Sequence, residues 1–406
     1  MSGQTNNRSN FVTSIRALRR QNSQVSASHP PSRLSKTERG PCCSSSAFAG
    51  TASAQGEVTV GGVVEVIGGS SDHDDGVDGL DRGIFSRIVV NYDKSLDNGL
   101  QVSGDISYLL NTRYNFAPDV LSLSVGGGFG TVTVGAAAAA ACATMPRVIA
   151  MVPGGVNATW YTLFSGVSDL LPGGNVTFSE SNYCGTSESV SYSTPSMGGL
   201  SAMVTFAPNM GSTQAQGLKD ADADESAEDY FAVAGKFSGD MGGIGIDIGA
   251  SFQNAKDDRI ESVSVAGILS MGGASIGLSW YDNGDASAMD LDTDLSITTN
   301  RSGTEGFNIG ASYQLGAIKP GVTFSSMELE VKGDGGSVKS KGTAVAVGAS
   351  YAVGGGLSVF AEYMRLDGAF AVTLDEGAAA IVGVPAGTES MSGDETILMT
   401  GAILSF

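Results

Sequence analysis

The sequence predicts an all-β fold, a transmembrane antiparallel β-barrel of about 16 strands. Apolar and polar residues alternate with a period of two in short segments from residue 57 to the C-terminus, which is typical of half-buried strands. Short glycine-rich links alternate with longer ones, as in barrels whose turns are short at one rim. No apolar stretch reaches the roughly 18 residues of a membrane-spanning helix, and a barrel needs none because its apolar residues occupy alternate positions.

The composition excludes several other classes of protein. Glycine is abundant, at 58 of 406 residues, but proline is limited to 11, which excludes collagen and proline-rich disorder. The formal net charge of −20 argues against a nucleic-acid partner because phosphate groups would repel the chain. Only 2 histidines are present, and nucleotide-binding and hydrolase motifs are missing, so we expect neither an enzyme nor a resident cofactor.

Residues 1–54 differ in charge from the rest of the chain. They contain 7 of the basic residues and a single acidic one, Glu38. Ala52-Ser53-Ala54 resembles the cleavage site of a secretory signal peptide, although the apolar segment that precedes such sites is missing. We interpret 1–54 as an atypical leader or signal-peptide remnant, with a disordered tail as the alternative, and 55–406 as one barrel domain.

The first strand shows the pattern on which the other strands are predicted. Val58, Val60, Val64 and Val66 share one face, whereas Glu65 lies on the other. The same alternation predicts strands at residues 57–68, 84–94, 99–112, 119–125, 130–135, 187–195, 199–207, 229–238, 243–253, 260–270, 274–282, 305–315, 317–327, 342–353, 357–366 and 395–406.

The links between these strands predict their topology. Links that follow even-numbered strands are short and glycine-rich, such as 96–99, 126–128 and 354–356. Links after odd-numbered strands are mostly longer, and the one at 136–186 has about 50 residues. Separation of short and long links to opposite ends of the sheet favours a membrane barrel over a soluble sandwich. A β-solenoid would show a fixed repeat, and the sequence has none.

Three segments resemble those of Gram-negative general porins, particularly those of alphaproteobacteria. Residues 129–135 are similar to the strand that leads into the family's constriction loop, and 188–200 to the strand–turn–strand that follows it. The last strand ends in Phe406, which resembles the family's assembly signal. The resemblance implies a homotrimeric channel of about 16 strands in the cell outer membrane, with its third loop folded into the lumen. It also implies insertion by the barrel-assembly machinery and contact with outer-membrane lipid and lipopolysaccharide.

Successive residues of a strand point to opposite faces of the sheet, so the positions of the apolar residues predict which charged residues face the lumen of such a channel. The predicted pore-lining residues are Glu65, Arg87, Asp105, Lys236, Asp247, Lys319 and Glu362. The constriction loop at 136–186 would add Arg147, Asp169 and Glu180, fewer charges than many general porins place there. A near balance of acids and bases at the wall, together with acidic external loops, predicts weak cation selectivity.

Two cysteines bracket the predicted constriction loop. Cys142 and Cys184 are the only cysteines that remain after removal of 1–54. Export would take them to an oxidising compartment, in which a disulfide is permitted. A disulfide between them is one interpretation, and two unpaired thiols too far apart to bridge are the other.

Two acidic segments are candidates for cation binding. Asp72, Asp74, Asp75 and Asp78 surround His73 without the spacing of an EF-hand loop. The second segment, 220–229, contains six acidic residues. We expect solvated loops at both, with Ca²⁺ at the first and cation bridges to lipopolysaccharide at the second as the alternatives.

The function that we predict is passive diffusion of small hydrophilic solutes and ions through the barrel. Two alternatives stay open. A substrate-selective channel of the same fold would show a current that saturates with one solute, and a non-conducting surface adhesin would show no conductance.

Overall fold

Strands make up almost all of the chain that the structure describes. The computed structural model describes residues 56–72, 81–111, 117–153, 186–209, 228–256, 260–284, 299–333, 336–377 and 386–406, and the predicted leader 1–54 lies outside them. The strands are β1 (Glu57–Ser71), β2 (Asp81–Ser95), β3 (Gln101–Asn111), β4 (Ala117–Gly127), β5 (Gly130–Ala138), β6 (Thr186–Ser193), β7 (Leu200–Asn209), β8 (Glu228–Met241), β9 (Ile244–Asn254), β10 (Glu261–Met271), β11 (Ala274–Asp282), β12 (Thr299–Tyr313), β13 (Ile318–Gly333), β14 (Gly336–Gly354), β15 (Leu357–Leu374) and β16 (Gly387–Ser405).

These 16 strands form one closed antiparallel barrel. Each strand pairs with the next along the chain, and β1 pairs with β16 to close the sheet. Closure is required in a membrane because an open edge would leave main-chain N–H and C=O groups unpaired in hydrocarbon. At the seam, Gly62 N donates to Phe406 O at 2.9 Å, and Phe406 N donates to Gly62 O at 3.1 Å. The predicted antiparallel barrel is confirmed.

All 16 predicted strands are present, but β12–β16 extend further at the long-link end than the apolar pattern predicts. The link expected at 328–341 is mostly paired strand, so that only 334–335 separates β13 from β14. Charged residues interrupt the apolar alternation there and pair across the two strands, with Lys339 Nζ 3.0 Å from Glu330 Oε1. Because cross-strand pairs of opposite charge stabilise a sheet, the ladder continues beyond the apolar residues.

One face of each strand carries large apolar side chains that are exposed. On β14, Val345, Val347 and Tyr351 are exposed, whereas Ala344 and Ala346, at the alternate positions, are buried. Exposed apolar residues at alternate positions form the lipid-facing surface of a membrane barrel. Exposed aromatic residues lie near both ends of this surface: Phe206, Phe231, Phe252 and Trp280 at the long-link end, and Tyr192, Tyr313 and Tyr351 at the short-link end.

Two short helical segments follow β5. These are the helix α1 (Ala140–Thr144) and a 3₁₀ turn at Ile149–Met151. Both belong to the third loop, residues 139–185, which joins β5 to β6. Among the helices of the described ranges, none is both long and apolar enough to cross a membrane.

Deletion of Phe406 should lower the yield of folded barrel. The deletion removes both main-chain hydrogen bonds between the last residue and Gly62 at the seam, each worth about 1 kcal/mol. Folded protein in the outer membrane is measured as the heat-modifiable, protease-resistant form. Phe129→Ala, which removes an exposed aromatic side chain away from the seam, is the control. An unchanged yield after deletion would contradict the role of Phe406 in assembly.

Candidate pore

Small residues hold the start of the third loop flat on the inner wall of the barrel. The helix α1 contacts β7, β8 and β9, and Ala140 and Ala141 are fully buried. The wall beneath the helix is equally small, with Ala232 and Ala234 buried in the same cluster. Alanine against alanine brings the two backbones close together, so the helix lies against the wall rather than in the middle of the lumen.

A buried hydrogen bond fixes the first turn of α1. Ala140 N donates to Thr205 Oγ1 at 2.9 Å, and the Thr205 hydroxyl lies 2.8 Å from the Ser191 hydroxyl. The first N–H groups of a helix have no partner inside the helix. The barrel wall therefore supplies a partner that the loop itself lacks.

An apolar cluster holds the last described part of the loop. Ile149 and Val152, each 1% exposed, pack against the inner face of β13–β16 and β1. The barrel side chains of this cluster are Ile67, Met327, Ala344, Ala346, Phe360, Met364, Leu366, Ile397 and Met399. Full burial of one such large side chain stabilises the fold by about 1.5–3 kcal/mol.

The sequence itself indicates this apolar inner wall, although the prediction from strand alternation did not include it. On β15, Val359 and Tyr363 face outward, yet Phe360 and Met364, at the alternate positions, are also apolar. A strand that faces lipid on one side and water on the other should be polar at those inner positions. Apolar residues at both parities indicate instead that something apolar covers the inner face.

Between α1 and the apolar cluster, the buried inner wall is polar and uncharged. The hydrogen-bonded pairs are Tyr230 to Gln253 at 2.7 Å, Ser262 to Asn283 at 2.8 Å, and Asn308 to Ser279 at 3.0 Å. All six side chains are buried. Because their polar atoms are largely matched to one another, this wall supports the loop without placing charge behind it.

Each predicted pore-lining residue lies on the inner face of its strand, opposite the exposed apolar side chains. These residues are Glu65, Arg87, Asp105, Lys236, Asp247, Lys319 and Glu362. They are unevenly covered, since Glu362 is 3% exposed whereas the Arg87 side chain is 40% exposed. Their part in ion selection stays a prediction.

Two ion pairs offset basic charge on the inner wall. Arg87 Nη2 lies 2.8 Å from Asp119 Oδ2, and Lys236 Nζ lies 3.2 Å from Asp247 Oδ1. Both bases are partly exposed, so each pair contributes little to stability. Their main effect is local, because a neighbouring carboxylate reduces the positive potential that either base presents to the lumen.

Asp119 is a residue of the inner wall that the alternation does not predict. It has the same parity as Leu121, which is exposed on the outer face. The register between β3 and β4 shifts by one residue between Ser107 and Tyr108. Such a β-bulge turns a side chain towards the other face of the sheet, and only the pairing of the two strands reveals it.

The contacts made by the described part of the third loop leave one sector of the inner wall uncovered. These contacts are with β7–β9, β11–β16 and β1. The inner face of β2–β4 is not among them, and it carries Arg87, Asp105 and Asp119. Residues 139–153 of the loop therefore do not cover these three charged residues.

The remaining predicted loop residues are only partly described. Arg147 is exposed on the loop, whereas Asp169, Glu180 and Cys184 lie outside the described residues. Cys142 is disulfide-bonded, and its partner also lies outside them. The pairing with Cys184 stays a prediction.

Of the acidic segments, only the edges are described. Asp72 Oδ1 accepts a hydrogen bond from Thr396 N at 2.6 Å, and most of both segments lies outside the described residues. Within the described ranges, no group of three or more His, Cys, Asp and Glu side chains is arranged to hold a metal ion. Calcium binding at the acidic loops stays a prediction.

Thr205→Val should destabilise the barrel, because it leaves the buried Ala140 N–H without its acceptor. The expected loss is about 1–3 kcal/mol in the free energy of unfolding, measured by denaturant titration in detergent. Thr323→Val is the matched control, since the Thr323 hydroxyl is buried without a hydrogen-bond partner among the described residues. Equal losses in both variants would show that the hydrogen bond to α1 contributes nothing.

Alkylation should show whether Cys142 and Cys184 are bonded to each other. We expect neither cysteine to react in denatured, non-reduced protein, and both to react after reduction. The disulfide would close a loop of about 40 residues, worth about 4 kcal/mol in the chain-entropy model. Reaction of Cys184 alone would assign Cys142 another partner, and reaction of both would contradict the disulfide.

Comparison with known proteins identifies the family. Residues 43–369 match the family model described as Gram-negative porin. No curated protein matches the chain. Solved structures share the fold: OmpT of Vibrio cholerae in its trimer form has a TM-score of 0.57 at 14% identity, over 87% of this chain and 100% of that one.

Two further solved structures are similar to a comparable degree. A porin structure refined at 1.8 Å resolution has a TM-score of 0.54 at 16% identity, over 86% of this chain and 100% of that one. A substituted form of the Rhodobacter blastica porin has a TM-score of 0.51 at 15% identity, with the same coverage. The structures agree on the barrel fold, and the family model covers most of the chain. The chain therefore belongs to the Gram-negative porin family and is a porin of the outer membrane.

Proposed function

We propose that this porin is a channel for passive diffusion of small hydrophilic solutes and ions. A barrel of 16 strands leaves an aqueous lumen rather than a packed interior. The observation that carries the proposal is the partly exposed charged wall at β2–β4, with Arg87 and Asp119, opposite the strands that hold the loop. Charged side chains at a constriction favour hydrated solutes and exclude apolar ones.

We propose further that the channel prefers cations weakly. The inner-wall residues named above comprise five acids, Glu65, Asp105, Asp119, Asp247 and Glu362, and three bases, Arg87, Lys236 and Lys319. Glu395, which is buried on the inner face of β16, adds a further acid. Two of the bases are ion-paired, so the potential at the wall is small and negative. The whole chain has a net charge of −20, and acidic external loops should concentrate cations at the mouth.

The proposed partners follow from the two faces of the barrel. A homotrimer is supported by the trimer form of the structurally similar OmpT. Contact with outer-membrane lipid and lipopolysaccharide is supported by Lys339, Lys341 and Arg365, which lie on the outer face beyond the apolar residues of their strands. Insertion by the barrel-assembly machinery is supported by the terminal Phe406 at the seam.

Reversal potentials across planar bilayers should show weak cation selectivity that decreases as salt rises. Charges more than about 10 Å away are screened at 0.1 M salt, so the contribution of the external loops is lost first. Arg87→Glu should strengthen the cation preference, and Asp119→Asn should weaken it, because each changes the charge at the uncovered wall. Arg365→Glu is the control, since this arginine is on the outer face.

Four outcomes would overturn parts of this proposal. A bilayer with no conductance would favour an adhesin, and a current that saturates with one solute would favour a substrate-selective channel. Clear anion selectivity would contradict the proposed cation preference. An equal shift of the reversal potential in Arg87→Glu and Arg365→Glu would show that Arg87 does not face the path of the ions.

A further inference from the structure

The last strand of the barrel extends beyond the strand that closes it. β1 ends at Ser71, which pairs with Ile397, whereas β16 already begins at Gly387. The first part of β16 pairs with β15 on one side, and no strand of the described ranges pairs with it on the other. This part, Gly387–Glu395, is here called the open edge.

An aspartate ends the pairing between β1 and β16. Asp72 N donates to Thr396 O at 3.2 Å, and Thr396 N donates to Asp72 Oδ1 at 2.6 Å. The carboxylate thus takes the place of the main-chain carbonyl that a longer β1 would offer to Thr396. The ladder stops at this point, although β16 continues as a strand in the direction of Gly387.

The direction of the main-chain groups along the open edge follows from the pairing of its neighbours. Thr396 and Phe406 both direct their N–H and C=O groups towards β1. Residues two apart on a strand share this direction, and the pairing of this part of β16 with β15 has no register shift. Four residues of the open edge therefore direct their N–H and C=O groups away from β15. They are Thr388, Ser390, Ser392 and Asp394, and all four are exposed.

The open edge lies in water outside the cell. Leu398 is the outward-facing apolar residue of β16 nearest to it, and the edge continues from there towards the long-link end, which is the external end of an outer-membrane barrel. The link 73–80 returns to Asp81 and can reach at most about 13 Å along the edge. Thr388 lies roughly 27 Å from Thr396, so this link cannot pair with the whole edge.

The open edge lacks the features that protect edge strands from further pairing. Such strands usually carry lysine, proline or a β-bulge. At the opposite edge of the same extended sheet, β12 has a register irregularity between Thr299 and Arg301. The open edge contains neither proline nor a basic residue, and its pairing with β15 is regular. Its main-chain groups are therefore able to pair with another strand.

The charge of the open edge indicates what kind of strand it can accept. Its charged residues are all acidic: Glu389, Asp394 and Glu395. Asp394 is paired with Arg365 at 3.2 Å, whereas Glu389 is exposed. A second copy of this edge would bring the same acids against these, and like charges opposite one another destabilise a sheet. A segment with lysine or arginine would instead be attracted.

We propose that the open edge binds an extended basic segment of another protein at the cell surface, which is added to β16 as a further strand. Main-chain hydrogen bonds to residues 388–394 supply the affinity, and the acidic side chains select basic residues. The inference goes beyond the proposed diffusion function, because the partner binds outside the lumen. The porin is then also a surface receptor.

The first test measures binding of a short synthetic peptide of alternating threonine and lysine to the folded porin in detergent, by fluorescence anisotropy. Ser392→Pro should weaken binding about fivefold, because it removes a main-chain donor from the edge. Proline is tolerated there, since the Ser392 N–H takes no part in the pairing with β15. Ser392→Ala is the matched control, which keeps the N–H and should bind like the wild type.

Two further peptides separate strand pairing from attraction by charge. A peptide in which proline replaces threonine keeps the positive charge but cannot pair as a strand, and we expect it not to bind. A peptide of alternating threonine and glutamate can pair but has the wrong charge, and it should bind more weakly than the lysine peptide. The proposal is overturned if the lysine peptide does not bind, if the proline peptide binds equally well, or if Ser392→Pro keeps wild-type affinity.

Hydrogen exchange of the wild-type porin provides a second test, which applies even if Ser392→Pro fails to fold. In the free protein the main-chain N–H groups of residues 388, 390, 392 and 394 should exchange fast, and those of 389, 391 and 393 slowly, because only the second set pairs with β15. The lysine peptide should slow the first set. Protection of the first set without peptide would overturn the proposal, because the edge would then be covered by this chain or a second copy. Neither test requires a conducting channel, so a failure of the diffusion function would be seen separately.

Discussion

The structure depends on closure of the sheet, which is imposed by the lack of hydrogen-bond partners for the backbone in hydrocarbon. The pairing of β1 with β16 removes the last open edge. A closed sheet has an outer face and an inner face, and strand geometry assigns successive residues to them in turn. The outer face must be apolar for lipid, so charged side chains at the level of the hydrocarbon belong on the inner face.

The inner face is specialised by sector. Where the third loop covers it, the inner face carries small or neutral residues on β7–β12 and an apolar cluster on β13–β16 and β1. On β2–β4 it carries charge. A loop that enters a barrel must bury its own polar groups with partners, and the bond from Ala140 to Thr205 shows how the wall provides one.

Charge in the lumen is arranged in pairs. Arg87 with Asp119 and Lys236 with Asp247 place two of the three named bases beside an acid. Opposite charges a few ångströms apart cancel at longer range, so a passing ion experiences a weak net field.

The sequence by itself determined the barrel, the number and order of its strands, and the face on which Glu65 or Asp247 lies, because period-two alternation is a local property of each strand. Only the tertiary structure decided the rest. The bulge that turns Asp119 inward depends on the register of two strands. The extension of β13 and β14 depends on charges that meet across them. Gly277 and Gly321 pack against a loop that lies more than a hundred residues earlier in the chain. No local sequence pattern shows which distant segment will pack against a glycine.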